Sequence, residues 1–164
     1  MILPDLLKDN LKIVFCGTAA GNKSAERKAY YAGSGNLFYP TLSSCGFTPR
    51  ILTPVEFPNL LDYGIGLTDL VKHHFGMDKD LKQEHYDAKS FEQKILQYQP
   101  QLVCFNGKEV AKVYFNLKYT KQVGYGLQDK TIGNTKLYVA PSTSSAGRKH
   151  WEECIWQYLK NIIN

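Results

Sequence analysis

The chain has 164 residues, 43% of them hydrophobic and 21% charged, with a formal net charge of +5. That length suits one domain able to bury a core without staples, and no apolar run approaches the roughly 18 residues of a membrane span. The first ten residues lack the basic start and apolar centre of a secretory signal, so the expectation is a cytoplasmic, intracellular protein with one domain over residues 1–164.

Met1 to Asn10 reads as a lead-in with one helical turn. Leu11 to Cys16 is a wholly apolar run ending at a glycine, as in a strand covered on both faces. Thr18 to Gly35 then reads as a long loop. Asn36 caps a helix running to about Cys45, with Pro40 in its first turn and Gly46 at its end. Arg50 to Thr53 is a short extended piece, and Pro54 to Leu61 a helical turn or two. Tyr63 to Val71 delivers Asp69 to a sheet edge, and His73 to Lys82 is a polar surface loop.

Further on, Ala88 to Tyr98 is a helix with Phe91, Ile95 and Leu96 on one side, Leu102 to Phe105 an apolar strand, and Gly107 to Phe115 a helix. Lys118 to Lys130 reads as irregular. A turn at Gly133-Asn134 feeds a strand at Leu137 to Ala140, and the loop Pro141 to Gly147 follows. The last helix, about Lys149 to Ile162, is expected to bury Trp151, Cys154, Ile155, Tyr158 and Leu159. Strands alternating with helices imply a three-layer α/β sandwich around a small, mainly parallel central sheet flanked by helices.

In such sheets ligands sit beyond the carboxyl ends of the strands. Three loops leave those ends: Thr18–Gly35, the region of Asp69, and Pro141–Arg148. The segment GTAAGNKS departs from a triphosphate-binding loop, because Asn22 stands where a glycine must precede Lys-Ser. A glycine-rich turn after a strand still offers backbone N–H groups to a planar polar ring, with Ser24 for its edge. Tyr30 and Tyr31 read equally well as core residues; being adjacent, at most one of them lines a pocket. Asp69 interrupts an apolar run and is either a helix cap, with Thr68 as its rival, or functional. Cys16, Cys45, Cys104 and Cys154 form no CxxC, and the four histidines show no HxxxH or HExxH spacing, so no metal site is expected. The basic excess and the Arg148-Lys149 flank of the Ser/Thr loop suit a phosphodiester backbone.

Five blocks in order carry a resemblance: VFCGTAAGNKSA at Val14–Ala25, YYA…NLFY at Tyr30–Tyr39, LLDYGIGLTDLV at Leu60–Val71, YQPQLVCFNGKEV at Tyr98–Val110, and APSTSSAGR at Ala140–Arg148. Together the chain resembles the uracil-DNA glycosylase superfamily, specifically its mismatch-specific uracil/thymine branch. The resemblance implies a monofunctional DNA glycosylase that flips and excises uracil or other deaminated or mismatched bases. It would act on DNA as a monomer, with no metal or organic cofactor. It places the base against the backbone N–H of Thr18, the ring of Tyr31, Ser24 and Asn36. The duplex would meet Ser142, Ser144, Ser145, Ala146, Gly147 and Arg148. Ala19 stands where the best-known members have a water-positioning asparagine, and Ala140 where an asparagine or histidine often begins the last motif. Some members with alanine in the first motif look to use an aspartate of the third block, here Asp69, as the catalytic group. A catalytically silent binder of damaged or mismatched DNA is the alternative. A small-molecule nucleotide hydrolase on the same fold class is a further rival.

Overall fold

Residues 1–163 are described by a computed structural model; Asn164, the last residue of the expected domain, lies outside them. Five strands form one sheet in the order β2-β1-β3-β5-β4. They are β1 (Ile13–Gly17), β2 (Ile65–Asp69), β3 (Leu102–Asn106), β4 (Gly126–Ile132) and β5 (Thr135–Ala140). The first four in that order run parallel, and β4 closes the far edge antiparallel to β5. Five α-helices, α1 (Asn22–Arg27), α2 (Phe38–Ser44), α3 (Ala88–Tyr98), α4 (Lys108–Tyr114) and α5 (Glu153–Ile162), complete the expected sandwich.

Side chains alternate across the sheet as the strand period of two demands. Ile13, Phe15, Leu102, Cys104 and Tyr138 enter the layer built with α2 and α5. Val14, Cys16, Val103, Phe105, Leu137 and Val139 enter the layer built with α3 and α4. Because both faces are covered, β1, β2 and β3 are buried along their whole length, which is why β1 and β3 up to Phe105 read as apolar runs.

The structure differs from the sequence expectation in several places, among them Leu96, which is exposed while Phe91 and Ile95 of the same helix are buried. Residues 1–10 form no helical turn; instead Leu6 bridges Leu67 through two backbone hydrogen bonds of 2.9 Å, capping the outer edge of β2. The stretch expected as one long loop contains α1, started by Gly21 and stopped by Lys28 in the left-handed conformation. The stretch expected to be irregular up to Lys130 becomes β4 from Gly126 onward. Its polar Gln128, Asp129 and Lys130 hide the strand signal, and the open edge of β5 recruits it through a bulged ladder. Finally, the C-terminal helix starts at Glu153, after a 3-10 helix at Ser145–His150, and is turned on its axis. Trp156, not Cys154 or Tyr158, is fully buried; Leu159 is buried as expected, Trp151 and Ile155 are half-buried, and Cys154 and Tyr158 are exposed. The indole decides the rotation: it stacks on Phe15 (centroids 5.4 Å apart) and donates Nε1–H to the Pro141 carbonyl at 2.9 Å. Among the described residues no helix is long and apolar enough to cross a membrane.

Candidate active site

The parallel strands end side by side at Gly17, Asp69, Asn106 and Ala140. Gly17 and Asp69 are register partners, and the ladder continues past them: Leu70 N–H donates to Gly17 O at 3.1 Å and Val71 N–H to Thr18 O at 2.8 Å. This extension fixes where the Asp69 side chain leaves β2. A Cβ placed on Gly17 would lie 2.8 Å from Asp69 Oδ1, so a residue without a side chain is what lets the carboxyl lie over the β1 turn. Asp69 is only 5% exposed. Burial pushes its pKa up to about 6; nearby Lys72 pulls it down, Asp5 pushes it up, and a hydrogen bond from the Gly17 backbone lowers it.

Lys72 itself is 8% exposed and sits in a buried chain of polar contacts that the sequence reading missed. Its ammonium meets Asp5 Oδ1 at 2.9 Å and donates to Tyr30 Oη at 3.0 Å, while Lys94 meets Asp5 Oδ2 at 2.6 Å and Thr68 donates to Asp5 at 2.7 Å. Burial pushes the Asp5 carboxyl up, but the two lysines and Thr68 overcome it and hold the pKa below its ordinary value. Tyr30 completes the chain by donating to the Pro4 carbonyl at 2.9 Å, so it is the tyrosine of the core.

Tyr31 is the other. Its backbone is left-handed (φ +54°), and its ring lies tilted beside that of Tyr30, with centroids 6.2 Å apart. The ring is half-buried and rests on Phe38, with centroids 4.0 Å apart. Its hydroxyl is enclosed, without a hydrogen-bond partner, 3.6 Å from the place a Gly17 Cβ would occupy. Asp69 carboxyl and Tyr31 phenol therefore converge over the same turn. Burial and then the Asp69 charge raise the Tyr31 pKa far above that of a free phenol.

The remaining expected residues fall around this pair. Ser24 is buried, and its Oγ accepts the Ala32 N–H at 3.0 Å, clamping the loop that presents Tyr31 rather than opening to solvent. Leu37, not Asn36, occupies the N-cap of α2; Asn36 precedes it, and its Oδ1 accepts the Phe38 N–H at 3.0 Å, closing a local turn that leads into the helix. Thr18 donates its hydroxyl to Asp78 at 2.6 Å. Among the described residues, the backbone N–H groups of Thr18 and Ala19 have no protein acceptor.

The loop after β5 is stitched to the same end of the sheet. Leu37 N–H donates to Thr143 O at 2.9 Å, and Asn106 exchanges two 3.0 Å hydrogen bonds with Thr143. Ser142 and Ser144 pair through their hydroxyls at 3.1 Å, and Arg148 donates to the Gly35 carbonyl. Ser145, Ala146 and Arg148 are exposed, while Ser142, Ser144 and Gly147 are half-buried. Gly107 (φ +115°) lies against Ser142, where a Cβ would come within 3.1 Å of that side chain. Sequence reasoning missed Asn106; the available signal was a polar residue ending the apolar run LVCF just before a glycine.

The arrangement joins a carboxyl that ionises near neutrality, an aromatic face, free backbone donors and an exposed basic loop. It can stabilise a developing cation from one side and a developing anion from the other. Two comparisons bear on it. A profile of the Uracil DNA glycosylase superfamily matches residues 4–161. The fold is similar to the solution NMR structure of a protein from Methanosarcina acetivorans provisionally designated a uracil DNA glycosylase. The TM-score is 0.68 at 20% identity, over 96% of this chain and 94% of that one. At that identity the likeness is one of fold.

Proposed function

The chain belongs to the uracil DNA glycosylase superfamily, and from that premise we propose that it is a monofunctional DNA glycosylase, a single domain acting as a monomer, which hydrolyses the N-glycosidic bond of uracil in DNA. The observation that carries the reading is the buried Asp69 carboxyl lying over the Gly17 turn beside the Tyr31 ring. The extruded nucleotide costs a few kcal/mol to unstack, least at a mispair, which suits the mismatch-specific branch and other deaminated bases as further substrates. The base stacks on the exposed part of the Tyr31 ring. Its carbonyl oxygen meets the free N–H groups of Thr18 and Ala19, which stabilise the charge that grows on the leaving base; one such donor is worth about 100-fold or more in rate. Ionised Asp69 stabilises the positive charge building on the sugar and orients water, the task an asparagine at the Ala19 position would otherwise share. Ser24 and Asn36 hold the loop and the start of α2 that frame the base. Ser142 to Arg148 run along the phosphodiester backbone. The chemistry runs on the chain's own groups.

Ala19 favours one second reading, a silent binder of damaged or mismatched DNA. Base release from a uracil-containing duplex, measured for the native protein and for Asp69→Asn, separates the two. Release by the native protein that falls at least about 100-fold in the variant supports the glycosylase. Tight duplex binding with no release by either supports the binder. Equal release by both keeps the enzyme and removes Asp69 from its centre.

A further inference from the structure

Among the described residues, one buried side-chain polar atom lacks a partner: the Tyr31 hydroxyl. Stacking on a base does not call for it, since a phenylalanine ring would stack as well. Burying an unpaired hydroxyl costs stability, and so does the left-handed backbone of a tyrosine. Both costs fall on the residue that leans over the reaction centre. Tyr31 Oη and Asp69 Oδ1 flank a single point above the Gly17 backbone, at 3.6 and 2.8 Å from it. Asn106 lies close enough to the phenol to lower its pKa, as a neighbouring amide N–H does, although the pair falls short of hydrogen-bond geometry.

We propose that the Tyr31 hydroxyl is a second water-holding group, which with Asp69 fixes the water that attacks the sugar. This deepens the glycosylase reading and rests on it. The water gives one hydrogen to an Asp69 oxygen and the other to Tyr31 Oη, leaving a lone pair directed at C1′. As the water oxygen bonds to C1′, the C1′–N bond breaks and its electron pair leaves with the base. One water proton passes to the Asp69 carboxylate, and the base anion takes its proton from solvent. A pair of holders in place of one side-chain amide accounts for a first motif that carries Ala19.

The test is single-turnover base release from a uracil duplex at saturating protein, with Tyr31→Phe, Asp69→Asn and the double variant, each also melted without DNA. Tyr31→Phe keeps the ring, so duplex affinity stays within about twofold, while the release rate drops about tenfold or more. In the Asp69→Asn background the same change adds little, because both groups act through one water. The melting temperature of Tyr31→Phe rises by a few degrees, since an unpaired buried hydroxyl is gone. A role in folding alone would move it down. Native release from Tyr31→Phe, full additivity in the double variant, or a lowered melting temperature overturns the inference while leaving the glycosylase reading intact. No release by the native protein overturns both.

Discussion

Replacing Asp69 by asparagine removes one titration and keeps the shape, so its effect on stability has a sign and a size that depend on pH. The native carboxyl is 5% exposed, and its pKa is pushed from 3.8 to about 6. At about 1.4 kcal/mol per pH unit, that displacement is worth about 3 kcal/mol. The folded-state pKa lies above the unfolded one, so this contribution to stability is fully present below about pH 4 and is lost as pH rises through about 6. The groups facing the carboxyl are Lys72 just beyond β2, Asp5 of the N-terminal segment, Tyr30 and Tyr31 of the loop after α1, and Cys16 of β1. Asp5 ionises below its ordinary range, and the phenols and thiol ionise well above theirs, so of these acids Asp69 alone changes charge in the window. Urea unfolding of both proteins at about pH 4 and pH 8 isolates the term, because other carboxylates cancel in the difference. Relative to the native protein, Asp69→Asn gains about 2–3 kcal/mol between the two pH values. A constant offset between the proteins, or a gain on acidification, refutes the reasoning.

The same pKa shapes activity: if the ionised acid is required, base release rises with pH along a limb centred near about 6, and a rate flat from about pH 5 to 8 contradicts it. Gly17→Ala places a Cβ 2.8 Å from Asp69 Oδ1 and must displace the carboxylate; base release falls at least about tenfold while far-ultraviolet circular dichroism is kept, and native turnover would show that the carboxyl position does not matter. Trp156→Ala loses the stack on Phe15 and the hydrogen bond to Pro141, and costs about 3–5 kcal/mol in urea unfolding; a loss below about 1 kcal/mol would mean the α5 layer repacks around the hole.

The apolar runs at Leu11–Cys16 and Leu102–Phe105 announce strands buried on both faces, and the glycine after the first announces a turn that a ligand can approach. The positions of Asp69 and the Ser/Thr loop are readable because one ends a strand and the other follows one, and parallel strands bring their ends together; Tyr31 returns there on the excursion between β1 and α2. Local pattern does not reach contacts between distant segments. The Lys72–Asp5–Lys94 chain joins residues far apart in sequence, and no spacing rule connects them. Asn106 reads as the tail of a strand until Thr143 is folded against it. Trp156 rather than Cys154 turns inward because an indole finds Phe15 across the layer, a choice made by packing volume and not by helical period. Residue type and order along the chain thus determined the layers and which side chains arrive at the carboxyl ends of the strands. Burial, decided only in three dimensions, sets how each one behaves: which tyrosine is structural, and at what pH the aspartate carries its charge.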